Sequence, residues 1–188
     1  MTALLVERHP AAYALLETAR ERYKNIVTIK TYPADFINVV PDILRDIPRN
    51  AFAFYLIDPK GWRIPLAKLR PLLARAPSEV TFNFMFDFIN RAANIADPVI
   101  VNALNELMPH GDWRGRLLEA EPIASVTATP EERKEILVEA FSESLRQIGD
   151  YRYVAETTVL KLCMIGHCIA SSMARGITRA LRFFVMHR

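Results

Sequence analysis

Three acidic residues lie at or shortly after the ends of apolar runs that read as β-strands: Glu7, Asp35 and Asp58. Ligands of doubly wound α/β sheets bind beyond the carboxyl ends of the strands, where a carboxylate can accept hydrogen bonds from hydroxyl or amino groups. The pattern therefore indicates a ligand site at one edge of a sheet. Each acid also has a structural alternative. Asp58 can cap the turn before a helix, Glu7 can be a solvated strand end, and Asp35 can begin a helix.

The segments that must position these acids alternate between strand and helix patterns. Apolar or alternating runs predict strands over residues 3–7, 25–32, 51–57, 79–86 and 151–160. Runs of helical period predict helices over residues 10–24, 33–47, 65–76 and 130–149, and one or two helices over 88–108, broken near Asp97-Pro98. Strands separated by helices of about a dozen residues favour right-handed crossovers and a mostly parallel sheet. The predicted fold class is α/β.

Local signals mark where several helices begin or end. Pro10 and Pro41 each predict the start of a helical turn or a kink, because proline fits the first turn and disrupts the interior. Thr129 predicts an N-cap, with Glu132 placed to complete a capping box. Gly149 predicts the end of that helix.

Two segments and one aromatic series carry further predictions. The strand over 51–57 is expected to be buried on both faces, because it is apolar throughout. Residues 109–128 lack a period and predict a loop or lid. Alternate aromatics predict packing in the core or on a strand face, at Phe82, Phe84, Phe86 and Phe88.

The composition favours a globular chain with no membrane anchor and no disulfide framework. Apolar residues make up 51% of the sequence, and no apolar run reaches the roughly 18 residues of a spanning helix. No signal-peptide pattern opens the chain, so a cytoplasmic protein without a membrane partner is expected. Cys163 and Cys168 match no zinc spacing; we expect thiols without a role and no metal site.

The net charge of +3 is unevenly distributed along the chain. Residues 162–188 hold four Arg and no acid, so residues 1–161 carry +3 − 4 = −1. We therefore divide the sequence into an α/β domain over 1–161 and an anomalous tail over 162–188. Helical propensity over 167–186 predicts a helix in the tail that packs opportunistically.

The order of the three acids resembles that of the class I S-adenosylmethionine-dependent methyltransferases. In that family an acid after the second strand holds the ribose hydroxyls. An acid after the third strand lies near the adenine, and one after the fourth faces the methyl acceptor. The resemblance implies that Glu7 and Asp35 bind S-adenosylmethionine, that Asp58 faces the acceptor, and that the sheet is Rossmann-like.

Two sequence blocks, FYLIDPKGWRIPLAKLRPLL and SEVTFNFMFDFINR, resemble the three-Cys-motif partner (TcmP) family more narrowly. Its members carry an aspartate-proline-aromatic-glycine turn, then an asparagine-phenylalanine strand that leads to an asparagine-arginine pair. The matching residues here are Asp58, Pro59, Gly61, Asn83, Asp87, Asn90 and Arg91.

This resemblance covers most of residues 3–160 and implies a methyltransferase-like fold. It also implies a separately encoded partner protein with a three-cysteine motif, with nucleic acid as a candidate substrate. The resulting catalytic candidates are Asp58, Pro59, Asn83, Asn90 and Arg91. For the last two, the alternative is the polar face of the helix that follows the strand.

The sequence departs from these families at two places. Lys60 occupies the aromatic position of the turn, and Trp62, two residues later, is the substitute stacking group. The chain also begins at the strand that the resemblance numbers second, so the glycine-rich turn that would cradle the methionine part of the cofactor is expected to be missing. We then expect a half-built cofactor site and a sheet order of three-two-gap-four-five, with exposed edges and apolar surface.

The tail also departs from the family, whose members end with a strand, a short turn and an amphipathic helix. The tail can be back-translated and then read in the neighbouring frame, in which each codon joins the last base of one original codon to the first two bases of the next. One permitted reading is VHDRTLYCLFYGTRHHTGIEVFRDA. That string resembles the family ending. It suggests a one-base deletion after the codon of Lys161, with residues 162–188 translated out of frame and the chain inactive.

Two alternatives to catalysis stay open. The chain can be a non-catalytic scaffold that binds its partner through HGDWRGRL, residues 110–117, and through the helix with Asn90 and Arg91. It can also be an inactive gene fragment. An enzyme, unlike either, needs the glycine-rich turn.

Sequencing the gene across the Lys161 codon tests the frameshift hypothesis. We expect a single-base deletion there, with the neighbouring frame encoding the family-like ending. An intact frame, with no such string in the neighbouring one, would contradict it.

Overall fold

The computed structural model describes residues 1–59, 61–121, 128–160 and 180–187. It confirms the α/β class, because parallel strands alternate with α-helices along the chain. The chain divides into two compact units, Met1–Ala51 and Phe52–Arg188.

The first unit is built on a two-stranded parallel sheet. Its elements are β1 (Thr2–Val6), α1 (Pro10–Tyr23), β2 (Thr28–Tyr32), a 3-10 helix (Phe36–Val39) and α2 (Val40–Asp46). β1 and β2 pair in parallel, with Thr2 opposite Thr28. Pro10 opens α1 and Pro41 lies in the first turn of α2, so both predicted helix starts are confirmed.

Tyr32 ties this sheet to the last helix of the first unit. Its ring is buried at the end of β2, and its hydroxyl donates a hydrogen bond to the carboxylate of Asp46. Lys30 pairs with the same carboxylate, with 2.5 Å between Nζ and Oδ2. Burial and this carboxylate raise the pKa of Tyr32, and the hydrogen bonds from Lys30 and Tyr32 lower the pKa of Asp46.

The second unit is built on a four-stranded mixed sheet. Its elements are β3 (Ala53–Ile57), a 3-10 helix (Leu66–Leu69), α3 (Arg70–Leu73), β4 (Ser78–Phe84), α4 (Phe86–Ala93), α5 (Pro98–Leu107), α6 (Trp113–Ala120), α7 (Pro130–Gly149), β5 (Tyr153–Leu160) and β6 (Ala180–His187). The strand order is β3-β4-β6-β5. β3 and β4 are parallel, whereas β6 runs antiparallel to both β4 and β5.

The core of the second unit forms where α7 packs on the sheet. Phe141 of α7 is fully buried, and its ring centroid lies 4.9 Å from that of Phe82 and 4.5 Å from that of Phe84. Leu137 and Leu145, one turn away on either side, are also fully buried. Spacing of about four residues keeps these side chains on one helix face, so α7 presents a continuous apolar stripe to β4.

Both ends of α7 follow from local signals. The predicted capping box is confirmed: Thr129 Oγ1 accepts from the Glu132 amide (3.2 Å), and Glu132 Oε2 accepts from the Thr129 amide (2.8 Å). The hydrogen bonds that the Glu132 carboxylate accepts from the amide and the hydroxyl of Thr129 lower its pKa. The helix ends at Gly149 as predicted, but the left-handed residue is Asp150, with φ 54°. Gly149 is required for packing, because a Cβ there would lie 2.1 Å from the ring of Tyr151.

The prediction that β3 is buried on both faces is wrong. Ala53 and Ile57 are buried, but Phe54 is 58% exposed and Leu56 63% exposed. Successive side chains of a strand point to opposite faces, so only one face of β3 contributes to the core.

The prediction of a loop or lid over 109–128 is also wrong for its described part, because α6 forms there. Trp113 is 3% exposed, and its indole nitrogen donates to Asn105 Oδ1 at 3.0 Å. The Asp112 side chain caps the helix by accepting from the Gly115 amide at 3.0 Å. Residues 122–127 of this segment lie outside the described residues.

α6 is fixed to α7 by an arginine. Arg116 Nη2 lies 2.8 and 3.0 Å from the two carboxylate oxygens of Glu143, and Nη1 lies 3.4 Å from Glu139 Oε2. These carboxylates raise the pKa of Arg116.

The aromatic series after residue 80 changes element part of the way along. Phe82 and Phe84 are buried in β4, which confirms the prediction for them. Phe86 begins α4, and Phe88 lies on that helix with an exposed ring, so the prediction is wrong for Phe88.

The helix predicted within the tail is wrong for residues 180–187, which form β6. The sequence RFFVM is rich in strand-forming residues, and β6 provides hydrogen-bond partners for β4 and β5 at once. Residues 161–179, with Cys163 and Cys168, lie outside the described residues.

Replacing Phe141 with alanine is expected to lower the free energy of unfolding by about 3–5 kcal/mol, because it removes a buried ring and leaves a cavity between two others. Urea denaturation followed by tryptophan fluorescence measures the change. Leu118→Ala on the exposed face of α6 is the control, expected within about 0.5 kcal/mol of the parent. Equal midpoints for the two variants would contradict the assigned core.

Candidate ligand-binding site

Asp58 and Asn83 meet at the carboxyl ends of β3 and β4. The register places Ile57 opposite Phe82, so the next residues along the two parallel strands, Asp58 and Asn83, are neighbours. Asn83 Nδ2 donates to Asp58 Oδ1 at 2.6 Å. Asn83 is only 6% exposed, whereas Asp58 is exposed. A buried amide therefore holds a carboxylate that ligands can reach.

The side-chain oxygen of Asn83, Oδ1, is buried with no hydrogen-bond partner among the described residues. A buried unsatisfied acceptor costs about 1–3 kcal/mol, and such groups are few in native structures. Within the described residues, the Asn83 side chain forms one hydrogen bond, which it donates to Asp58. The role of Asn83 is therefore to orient that carboxylate.

The turn after β3 has the backbone conformation that its proline and glycine predict. Pro59 follows Asp58 directly, and Gly61 has φ +110°, a conformation that favours glycine. Trp62 is half-buried, and the guanidinium carbon of Arg63 lies 5.5 Å from its ring centroid. Lys60 lies outside the described residues.

α4 begins one residue after β4. Its two adjacent residues of the predicted asparagine-arginine pair make different contacts. Asp87 lies in its first turn. Arg91 is exposed, with its guanidinium carbon 4.7 Å from the ring centroid of Phe88. Asn90 instead accepts a hydrogen bond from Arg133 of α7, with 3.0 Å between Nε and Oδ1. Asn90 therefore has a structural contact, and Arg91 is the member of the pair open to a ligand.

Arg133 was not predicted as a functional residue, yet it organises this part of the molecule. It is 9% exposed, and besides Asn90 it donates to Asn94 Oδ1 at 2.7 Å and to Glu121 Oε1 at 2.5 Å. The sequence feature that could have identified Arg133 is a single arginine on the apolar stripe of α7, one turn before Leu137. A buried guanidinium needs several acceptors, and here it draws them from α4 and from the residue after α6.

The two predicted cofactor acids lie in the first unit, at the carboxyl ends of β1 and β2. Glu7 Oε1 accepts from the His9 amide at 2.7 Å, which orients the carboxylate. Asp35 has both oxygens engaged: Oδ1 accepts from the Ile37 amide and Oδ2 from Arg8, each at 3.1 Å. Asp35 thus caps the 3-10 helix, which is its structural alternative.

Over the ranges that the structure describes, no group of His, Cys, Asp and Glu side chains is arranged to hold a metal ion. Within those same ranges, no helix combines the length and the apolar character needed to cross a membrane.

Comparisons with protein-family models, curated proteins and solved structures found no match to this chain.

Replacing Asn90 with alanine is expected to lower the free energy of unfolding by about 1.5–3 kcal/mol, because Asn90 accepts from a buried charged donor. The control is Asn102→Ala on α5, an exposed asparagine. Chemical denaturation measures both, and a double-mutant cycle with Arg133→Met should show that the two losses are coupled. Additive losses would contradict the assigned contact.

Proposed function

We propose that this chain is a methyltransferase-like protein of the three-Cys-motif partner type, in which Asp58 faces an amino group of the methyl acceptor. The single observation that carries the proposal is the 2.6 Å hydrogen bond from Asn83 to Asp58 at the carboxyl ends of two parallel strands. A carboxylate fixed in this way accepts from an N–H of the acceptor and stabilises the positive charge that develops on its nitrogen.

The strand pairings support the proposal. β1 pairs with β2 and β3 with β4, parallel in each case, as the family resemblance expects. Among the described residues β3 has a strand neighbour on one side only, and its outer face exposes apolar side chains.

The cofactor in this proposal is S-adenosylmethionine, which supplies the methyl group when bound. Glu7 fits a ribose hydroxyl, because one of its oxygens is fixed by the His9 amide and the other has no partner among the described residues. Asp35 fits the adenine role less well, since each of its two carboxylate oxygens already accepts one hydrogen bond, from Ile37 and from Arg8. In this unit, the proposal assigns cofactor binding to Glu7 alone.

The proposed acceptor is a base of single-stranded nucleic acid. An arginine-aromatic pair follows each of the two strands that carry the site: Trp62 with Arg63 after β3, and Phe88 with Arg91 after β4. Aromatic rings stack on bases and arginines neutralise phosphates, which is the combination that single strands require. The proposed partner, from the resemblance, is a separately encoded protein with a three-cysteine motif.

A base without an amino group provides the test. The probe is a fluorescent single strand rich in adenine, compared with the same strand in which purine replaces adenine. The parent chain is expected to bind the adenine strand roughly tenfold or more tightly, because the purine strand offers Asp58 no N–H. Fluorescence anisotropy measures both dissociation constants.

Three variants separate the roles in this experiment. Asp58→Asn is expected to bring the ratio of the two dissociation constants close to one. Arg91→Ala is expected to weaken both strands equally and to lower the salt slope by about one. Arg114→Ala, an exposed arginine on α6, is the control and should change neither. A parent chain that does not distinguish the strands would overturn the proposal.

A further inference from the structure

β3 is an edge strand with backbone groups that have no partner among the described residues. It pairs with β4 on one side, and the Ala53 amide donates to the Pro77 carbonyl at 3.1 Å. In a parallel ladder alternate residues direct their amide and carbonyl groups to the same neighbour. Ala53, Tyr55 and Ile57 therefore face β4, and Phe54 and Leu56 direct their backbone groups away from it.

This edge has none of the features that usually protect a strand from pairing. Natural edge strands carry charged residues, proline or bulges that block an added strand. No charged residue and no proline occurs from Asn50 to Ile57. The side chains on the outer face of this stretch are also apolar and exposed: Phe52 is 59%, Phe54 58% and Leu56 63% exposed.

The charges at the two ends of this stretch favour one pairing direction. Arg49 precedes it and Asp58 follows it. Two copies of β3 in antiparallel order, centred on Tyr55, place each Asp58 opposite Phe52 of the other copy, toward its Arg49 end, whereas parallel order in register places the two Asp58 carboxylates side by side.

We infer that β3 pairs with β3 of a second copy of this chain, antiparallel and centred on Tyr55. In that register Phe54 lies opposite Leu56 of the second copy, and the outward backbone groups of both residues form ladder hydrogen bonds. Tyr55 of each copy then forms the central pair that is not hydrogen-bonded, since its own groups already face β4. The arrangement has two-fold symmetry, joins two four-stranded sheets into one and closes after two copies.

Sedimentation velocity of the whole chain over a range of concentrations tests the dimer. The parent is expected to show a dimer that grows with concentration. Phe54→Lys is expected to raise the dimer dissociation constant roughly tenfold or more, because a lysine on an edge strand opposes pairing. Leu118→Lys places the same charge on an equally exposed leucine of α6 and should leave the dimer unchanged.

Crosslinking tests the register. In a chain with Cys163→Ser and Cys168→Ser, Tyr55→Cys brings two cysteines to the central pair. There the Cα atoms are about 4.5 Å apart, within the span of a disulfide. Mild oxidation is expected to give a crosslinked dimer, whereas Val99→Cys on the exposed side of α5 should not crosslink.

Three results would overturn the inference. One is a parent chain that stays monomeric at every concentration. A second is a dimer that Phe54→Lys leaves intact. The third is a Tyr55→Cys chain that dimerises but forms no disulfide, because that excludes the antiparallel register.

Discussion

The packing of Phe141, stacked on Phe84 and edge-on to Phe82, is the contact on which the second unit depends. The two strand residues flank Asn83 in β4, so the alternation of the strand sends Asn83 to the opposite face. Packing of α7 on one face of the sheet thus decides which side chain meets Asp58 on the other. A shift of one residue in the register of β4 would place a phenylalanine beside Asp58 in place of the amide. The site therefore requires the observed register.

The same helix stabilises the site through a polar contact. Arg133, one turn before Leu137 on α7, binds Asn90 of α4, Asn94 at the C-terminal cap of that helix, and the carboxylate of Glu121. α4 begins at the carboxyl end of β4, so a single buried guanidinium fixes the helix that carries Arg91. Apolar packing and a charged hydrogen-bond cluster therefore act on adjacent elements from one helix face.

Signals local in sequence predicted much of this structure. The prolines at the starts of α1 and α2, the capping box of α7 and the glycine at its end depend on residues within one turn, and each was confirmed. Two motifs singled out Asp58 and Asn83 separately, and the register of β3 and β4 then showed that they are neighbours. The mistakes concern contacts distant in sequence. α6 depends on the packing of Trp113, and β6 on pairing with β4 and β5. The contact between Asn90 and Arg133, 43 positions away, was not predicted either.

The packing of α6 has a consequence for the kinetics of ligand exchange. Opening this helix would expose the indole of Trp113 to water and separate Arg116 from two glutamates of α7. Slow opening of a lid limits turnover in many enzymes. Here the described part of the segment is held by core packing and by ion pairs to α7, so an opening of α6 would first have to break these contacts and would be slow.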